Sequence, residues 1–336
     1  MVAIEALGEV SGIQAGLDPS DLEELATAQL VQEAVSSFGI EGVSLDDAEI
    51  EASVIASLKH RSRAPIARRS DAIVELMLAA RRATKPLTAV MLWDWHRLLF
   101  YGIEVVDVGT WRRFDIEIVR SAVAGDNDVL YKAPPTDRVN AEMAVFLKWL
   151  TQDHKLPTPV LAAIAHLWFE SIHPFSDGNG RIGRAVIEHV FAKTQALPFS
   201  FSRQVEKDKK AYYAALQAGR RVGEGAIDAT AFVVWFLQSL VRAAALSREE
   251  TFLIMRRNRF FSAFSRQLSE RQTAVLQTLF AQGETRVEQG LSARSYGKTA
   301  KVSGPTATRD LAALERAGAA TRSDSGGRST YYRINY

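Results

Sequence analysis

The chain has 336 residues, of which 47% are hydrophobic and 24% are charged, a balance typical of a protein with a hydrophobic core. This length is sufficient for two or three domains. A net charge of +2 is too small to predict nucleic-acid or membrane binding over the whole surface, and the absence of cysteine excludes disulfides and thiolate metal sites.

Residues 20–102 are predicted to be mainly helical. Apolar residues at helical spacing predict helices between residues 20 and 62, with a break at Gly39 to Gly42. A basic stretch at 61–69, interrupted by Pro65, is interpreted as a connector. The helices predicted after it are 70–84 and 87–102.

The pattern changes between Val108 and Pro135. Apolar residues flank the turn residues 125–128, Gly-Asp-Asn-Asp, which predicts a β-hairpin inside a helical domain. The helices predicted to follow are 137–152, 158–172, 181–195, 206–220 and 228–265.

No membrane segment is expected. The most apolar stretch, Ala229 to Val241, is shorter than the roughly 20 residues of a spanning helix, and a buried helix is favoured. The first ten residues lack the pattern of a secretory signal. We therefore expect a cytoplasmic protein.

The last seventy residues form a different pattern. Helices are predicted at 270–282, 291–300 and 304–317, and two β-prone runs divided by Gly326-Gly327 follow them. Three helices and a hairpin of this size are typical of a winged helix.

Residues 173–184, His-Pro-Phe-Ser-Asp-Gly-Asn-Gly-Arg-Ile-Gly-Arg, carry the strongest chemical signal. Pro174 disfavours helix in the residue before it, so His173 is predicted at a helix-to-loop junction, where its side chain can face a cleft. Phe175 is predicted to point inward and anchor the loop. His96 and His166, on apolar helices, are interpreted as packing residues.

The second half of this run suits a polyphosphate. Glycines at 178 and 180 allow the backbone to approach a ligand, and the following helix offers unpaired N–H groups at its N-terminus. Arg181 and Arg184 share one face of its first turn. Asp177 is an oxygen ligand suited to Mg²⁺.

The run matches the motif His-x-Phe-x-Asp/Glu-Gly-Asn-Gly-Arg-x-x-Arg of Fic-domain proteins at every fixed position. Gly109, Trp111 and Arg112 resemble the segment that leads into the family's flap. The resemblance extends over nearly the whole chain, to the subgroup with an N-terminal inhibitory helix and a C-terminal winged helix. It implies a mainly α fold, with a helical Fic core and a β-hairpin flap.

The resemblance implies a protein adenylyltransferase (AMPylator), which transfers AMP from ATP to a Ser, Thr or Tyr hydroxyl and releases pyrophosphate. His173 would be the general base, and Asp177 would hold Mg²⁺ on the α- and β-phosphates. Asn179 would donate to the α-phosphate within an anion hole, and two arginines would bind the β- and γ-phosphates. The phosphate-binding residues implied are Gly178, Asn179, Gly180, Arg181 and Arg184.

Two further elements follow from the resemblance. The hairpin 117–133 would be the flap, which pairs with an extended target segment through Val129, Leu130 and Tyr131. The nucleotide pocket would be lined by Tyr212 and Tyr213. Some relatives carry asparagine a turn further on, where this chain has Arg220. Without the resemblance, the residues indicate only a surface hairpin and two half-buried tyrosines that contribute to packing.

Residues 37–42 resemble the family's inhibitory pattern Ser/Thr-x-x-x-Glu-Gly/Asn, here Ser37, Glu41 and Gly42. In those relatives the glutamate pairs with the last arginine of the main motif, which implies a Glu41–Arg184 pair at the ATP site. With its guanidinium paired to Glu41, Arg184 could not bind the γ-phosphate. The release signal could be dimer rearrangement, target binding or self-modification, and the sequence does not distinguish them. The alternative to an inhibitory role is that Glu41 is a surface glutamate at a helix end.

The C-terminal segment carries eight Lys or Arg between Leu291 and Tyr336 against three Asp or Glu. A recognition helix would begin near Gly304. The candidate DNA-binding residues are Thr306, Thr308, Arg309 and, in the wing, Arg328. Winged helices also serve as dimerisation or protein-docking modules, so DNA binding stays one of three alternatives.

Three domains are predicted: an N-terminal helical region at 1–65, a Fic catalytic domain at 66–245, and a linker helix with the winged helix at 246–336. The expected partners are ATP, a target protein with a hydroxyl side chain and a second copy in a homodimer. Two alternatives remain at this stage: a nucleotide-sensing transcriptional regulator, and an enzyme that removes AMP with Glu41 aligning water.

Overall fold

The computed structural model describes residues 1–59, 66–82, 85–119, 129–220, 227–323 and 330–336. Within these ranges the chain is mainly helical, with two short hairpins, as the sequence predicted. The chain divides into two compact units: residues 1–11 with 24–244, and residues 12–23 with 245–336.

The elements of the described ranges run in the following order. The first ten helices and the first hairpin are α1 (Val2–Ala15), α2 (Pro19–Ile40), α3 (Asp47–Lys59), α4 (Arg69–Arg81), α5 (Ala89–Leu99), β1 (Glu117–Val119), β2 (Val129–Lys132), α6 (Thr136–Leu150), α7 (Thr158–Ile172), α8 (Asn179–Ala192), α9 (Phe201–Lys207) and α10 (Lys209–Gly219). The remaining elements are α11 (Thr230–Phe264), α12 (Glu270–Ala281), α13 (Glu284–Glu288), α14 (Ala293–Ala300), α15 (Gly304–Arg316), β3 (Ala320–Arg322) and β4 (Tyr332–Ile334).

The core of the first unit is built around α7 and α8. Helix α8 is buried on all sides, including its charged residues Arg181, Arg184 and Glu188. An ionised side chain in such a position must be paired, because an unpaired buried charge costs several kcal/mol. The partners are Glu41 directly after α2, Arg81 of α4 and Asp177 in the loop before α8, so the polar contacts of α8 fix the elements that surround it.

The first hairpin lies beside α7 and α10. Strands β1 and β2 are antiparallel, with Ile118 opposite Tyr131 and an irregular register after Ile118. The Tyr131 hydroxyl donates to the Ser171 carbonyl at 2.9 Å, and the Gln217 side-chain amide donates to the Leu130 carbonyl at 2.6 Å. The hairpin is therefore tied to the core by α7 and α10. The predicted turn at 125–128 lies outside the described residues.

The second unit has its own small core, in which α12, α14 and α15 pack with the β3–β4 hairpin. Ser269 and Ser292 cap α12 and α14, each accepting a hydrogen bond from the third residue of its helix. Leu291 pairs with Tyr332 in an isolated antiparallel bridge beside the hairpin.

Helix α11 is long and apolar enough to cross a membrane by length and composition alone. The apolar segment lies in its first half, where Phe232, Phe236 and Leu240 are fully buried in the core of the first unit. This agrees with the interpretation of that stretch as a buried helix.

One predicted helix is wrong, since 206–220 is two helices and starts earlier. Ser200 caps α9 by accepting a hydrogen bond from the Arg203 N–H, and Asp208 then leaves helical geometry between α9 and α10. Apolar spacing continues across this corner, so the periodicity does not reveal it. The structure also shows two helices that the sequence analysis did not predict, α1 and α13.

Candidate active site

His173 directly follows α7 in a left-handed backbone conformation, with φ 51° and ψ 59°. Few residues other than glycine adopt it, so contacts around the backbone must hold it. The buried Arg112 donates from Nε to the His173 carbonyl at 2.8 Å, and its backbone N–H donates to the Pro174 carbonyl at 2.9 Å. The His173 side chain remains 20% exposed, as a group that meets substrate requires.

The ring of His173 is oriented by the carbonyl of Glu170, which lies 3.3 Å from Nδ1. A neutral imidazole that donates from Nδ1 has its lone pair on Nε2, a tautomer inferred from this hydrogen bond. Burial lowers the pKa of His173, and the Glu170 carboxylate partly opposes this. His173 is therefore neutral at pH 7 and can accept a proton at Nε2.

The loop after His173 is held from inside. Phe175 is fully buried, which confirms its predicted inward orientation. The side-chain amide of Asn179 accepts from the Phe175 N–H at 2.9 Å and donates to the Phe175 carbonyl at 2.8 Å. This uses the Asn179 oxygen and one of its two N–H bonds, so the side chain shapes the loop and keeps one donor.

His96 supports the same loop, a role that its apolar helix does not reveal, because that pattern predicts a packing residue. Its Nδ1 accepts from the Gly109 N–H at 2.9 Å, which leaves Nε2 to donate to the Asp177 carbonyl at 3.1 Å. Its ring stacks on Phe175 at 4.1 Å. Burial lowers the pKa of His96 to about 4, so the ring stays neutral in this arrangement.

Helix α8 begins at Asn179, two residues before the predicted start, and its N-terminus faces the carboxylate of Glu41. Gly178 precedes the helix at φ 79°, where a side chain would also collide with Leu99 and Phe100. A methyl group at Gly180 would collide with Oε1 of Glu41. A carboxylate therefore lies where the free N–H groups of the first turn favour an anion.

Arg184 joins α8 to the end of α2. Its side chain is 2% exposed; Nε donates to the Ser37 hydroxyl at 2.9 Å, and NH2 donates to the Ser37 carbonyl at 2.6 Å and to Glu41 at 2.9 Å. Its NH1 has no hydrogen-bond partner among the described residues. The predicted pairing of Glu41 with Arg184 is thus present in the geometry, and Gly42 follows directly at φ 76°.

Arg181 lies between α2 and α5. Its guanidinium is 5.2 Å from the ring centroids of both Phe38 and Phe100, and it donates to the Asp177 carboxylate at 3.1 Å. The Asp177 side chain is 60% exposed, whereas that of Arg181 is 6% exposed. The carboxylate of Asp177 is consequently accessible from solvent at the N-terminus of α8.

A second polar cluster, two helical turns from Glu41, joins α2 to α9 and α4 to α8. The buried Glu33 accepts hydrogen bonds from the Ser200 hydroxyl at 2.8 Å, the Ser202 N–H at 3.0 Å and the Ser202 hydroxyl. Arg81 donates to both carboxylate oxygens of Glu188, at 2.9 and 3.1 Å. Burial and the nearby charge of Glu33 raise the pKa of Glu188 to about 7, although Arg81 opposes them.

Residues 86–191 match the family model described as the Fic/DOC family, and they include the whole run 173–184. The chain carries a Fic domain. A crystal structure of a Fic family protein from Desulfovibrio desulfuricans G20 covers 99% of this chain and 94% of its own, with a TM-score of 0.55 and 23% identity. A Fic domain containing signaling protein from Bacteroides thetaiotaomicron covers 75% of this chain and 97% of its own, with a TM-score of 0.56 and 20% identity. These matches confirm the expected Fic fold.

Two curated relatives are named as adenylyltransferases. A probable protein adenylyltransferase of Aquifex aeolicus is 31% identical over 97 residues, which are 29% of this chain and 28% of the relative. A protein adenylyltransferase Fic of Culex quinquefasciatus is 26% identical over 226 residues, 63% of this chain and 40% of the relative. The chain thus spans less than half the length of either relative.

The other predicted site residues of the Fic domain are placed as follows. Tyr212 is buried, with its hydroxyl 2.8 Å from Nε2 of His166, whereas the adjacent Tyr213 is 42% exposed. Burial raises the pKa of Tyr213 to about 12; the charge of Glu41 also raises it, whereas that of Arg184 opposes the shift. The three residues predicted for the flap, Val129, Leu130 and Tyr131, are half-buried on β2.

The candidate DNA-binding residues belong to the second unit. Thr308 and Arg309 are exposed on the first turns of α15, whereas Thr306 is half-buried and its hydroxyl lies 3.0 Å from that of Ser303. Arg328 lies outside the described residues.

Proposed function

We propose that the chain is a protein adenylyltransferase, which transfers AMP from ATP to a hydroxyl side chain of a target protein and to itself. The observation that carries this proposal is the partly exposed imidazole of His173 in the loop before α8, at whose N-terminus Arg181, Arg184 and the exposed carboxylate of Asp177 converge. The adenylyltransferase names of two relatives support the same chemistry.

His173 acts as the general base. Its Nε2 takes the proton of the target hydroxyl while the hydroxyl oxygen attacks the α-phosphorus. The bond from that phosphorus to the bridging oxygen of the β-phosphate breaks, and pyrophosphate leaves. The N–H groups of the first turn of α8 and the two arginines stabilise the charge on the phosphates, so that positioning and electrostatics supply most of the catalysis.

Asp177 fits a magnesium ligand. Mg²⁺ in nucleotide sites is commonly held by one or two carboxylates together with phosphate oxygens and water. The carboxylate of Asp177 projects from the loop at the phosphate-binding helix end and is 60% exposed. The ion would neutralise charge on the triphosphate.

Glu41 restrains the reaction. Its carboxylate occupies the anion position above Gly180 and engages Arg184, which is then not free to bind the γ-phosphate. Ser37 holds the same guanidinium through its hydroxyl and carbonyl. ATP can settle in a reactive pose only when Glu41 moves away.

The β1–β2 hairpin presents the target. An extended segment of the target protein adds to the flap beside β2, where Val129, Leu130 and Tyr131 lie. The bond from Gln217 to the Leu130 carbonyl holds β2 against α10 and thereby sets the distance between target and base.

Labelled ATP tests the proposed reaction. Purified Glu41→Gly protein is incubated with Mg²⁺ and with ATP labelled in either the α- or the γ-phosphate. AMP transfer predicts stable label on protein from the α-position only, with release of pyrophosphate. Label from the γ-position would indicate phosphoryl transfer, and no label from either position would rule out AMP transfer by this chain to itself.

A second proposal concerns the C-terminal unit, which we infer binds DNA. The exposed side chains of Thr308, Arg309 and Arg316 line one helix, and the exposed Arg322 and Arg333 lie on the adjacent hairpin. Double-stranded DNA is titrated at several salt concentrations. An affinity that falls steeply with salt and weakens on Arg309→Ala supports binding, because phosphate contacts release counterions. The absence of binding at low salt would contradict it.

A further inference from the structure

A buried carboxylate lies behind the proposed base. Glu170 is one turn before His173, and its side chain is 6% exposed. Its Oε2 lies 3.9 Å from Nδ1 of His173, and its backbone carbonyl lies 3.3 Å from the same nitrogen. One residue therefore offers His173 both a hydrogen-bond acceptor and a negative charge.

Arg220 keeps this carboxylate ionised and in place. It follows α10 and is buried, and its NH2 donates to Oε2 of Glu170 at 2.9 Å and to the Glu170 carbonyl at 2.6 Å. Burial opposes ionisation of Glu170, but Arg220, followed by His166 and His173, lowers its pKa below the ordinary value. Glu170 is thus a carboxylate throughout the neutral range.

The pair is incompletely satisfied. Oε1 of Glu170 and Nε of Arg220 have no hydrogen-bond partner among the described residues. Leaving buried polar atoms unpaired is unfavourable, and a pair retained only for stability is commonly replaceable by apolar residues. The arrangement is better explained by a charge that interacts with the base.

Arg220 also contacts the flap. Its guanidinium lies 5.5 Å from the ring centroid of Tyr131, whose hydroxyl is bound to the Ser171 carbonyl. The residue that holds Glu170 therefore touches the strand to which the target is proposed to bind.

We propose that Glu170 is a positioning residue for His173, held by Arg220; this inference rests on the proposed adenylyl transfer. The hydroxyl O–H bond breaks, an N–H bond forms at Nε2, and the ring becomes an imidazolium. Nδ1 keeps its proton, directed at the Glu170 carbonyl, and the carboxylate 3.9 Å away stabilises the new positive charge. Glu170 itself takes up no proton.

Glu170→Gln in the Glu41→Gly background tests this role. We expect kcat to fall by about 10- to 100-fold, the effect typical of partners that orient a functional histidine, while KM for ATP changes little. Since Glu170 raises the pKa of His173, its loss lowers that pKa. The acidic limb of the pH–rate profile, where the protonated base is inactive, should therefore move to lower pH.

Glu188→Gln is the matched control, because Glu188 is also a buried carboxylate paired with an arginine but interacts with Arg81 instead of His173. It should leave kcat within about twofold and the pH limb unchanged. Glu170→Asp, which retains the charge, should recover part of the rate and return the limb toward the parent. A rate loss in Glu170→Gln with no movement of the limb would overturn the inference and indicate a structural role.

NMR titration of His173 separates this inference from the proposed function. The resonance is assigned by its loss in His173→Ala, and its pKa is compared between the full-length Glu41→Gly protein and the same protein with Glu170→Gln. A lower pKa on Glu170→Gln supports positioning whether or not AMP is transferred. An unchanged pKa overturns it, whereas an inactive Glu41→Gly parent counts against the proposed function alone.

Discussion

Glu41 and Arg184 lie 143 residues apart in the chain and form one ion pair, with 2.9 Å between Oε1 and NH2. Of the two, Arg184 is almost fully buried, whereas the Glu41 side chain is 28% exposed. Removing one partner of a buried pair typically costs about 3–5 kcal/mol, less where one partner reaches solvent. The partial exposure of the Glu41 side chain lets the pair open toward solvent while Arg184 remains in place.

Ser37→Ala should weaken this restraint without removing it. The change deletes the hydroxyl that accepts from Nε of Arg184 and leaves the carbonyl contact. Losing one such hydrogen bond costs about 1 kcal/mol, which predicts a roughly fivefold rise in self-labelling over wild type. Ser36→Ala is the matched control, because the buried Ser36 hydroxyl bonds to Gln32 within α2. An equal rise in both variants would contradict the role of Ser37.

Arg112→Lys should destabilise the fold and slow the reaction. The planar guanidinium of Arg112 donates to the carbonyls of Phe114, Pro134 and His173, an arrangement that a lysine ammonium cannot reproduce. We expect a loss of about 2–4 kcal/mol in the free energy of unfolding, measured in urea. The neighbouring Arg113 is 76% exposed, so Arg113→Lys should change the free energy of unfolding by less than about 0.5 kcal/mol. Comparable losses would refute this assignment.

The stability of Glu188→Gln relative to wild type should increase as the pH rises. The pKa of Glu188 is raised to about 7 in the folded protein, so wild type gains stability from this group at low pH and loses it between about pH 4.5 and 7. Glutamine resembles the protonated form and does not titrate. Thermal melts from pH 5 to 8 should therefore show a growing advantage of the variant, whereas a constant difference would contradict the raised pKa.

His189→Leu should stabilise the first unit, most strongly in acid. His189 is fully buried on α8, and neither ring nitrogen has a hydrogen-bond partner in the described residues. Burial lowers its pKa to about 4, so its contribution to stability is present above pH 6.5 and is lost as the pH falls toward 4. Leucine has no buried nitrogen without a partner and no group that takes up a proton in acid. Melting curves at pH 7 and pH 5 measure the difference, and a variant less stable at both values would show that the imidazole is needed.

The run 173–184 reveals the catalytic loop because its residues are adjacent in the chain, and its likeness to a family pattern also links Glu41 with Arg184. Glu170 and Arg220 gave no such signal, since their ion pair joins α7 to the end of α10. The supporting role of His96 gives no sequence signal either, because its polar contacts are with backbone groups distant in sequence.

The most direct measurement compares self-labelling by ATP, labelled in the α-phosphate, in wild type, Glu41→Gly and Glu41→Gly with His173→Ala. We expect labelling at least about tenfold stronger in Glu41→Gly than in wild type, and none in the double variant. Equal labelling of wild type and Glu41→Gly would show that the Glu41–Arg184 pair does not restrain the site. Undiminished labelling in the double variant would contradict His173 as the base.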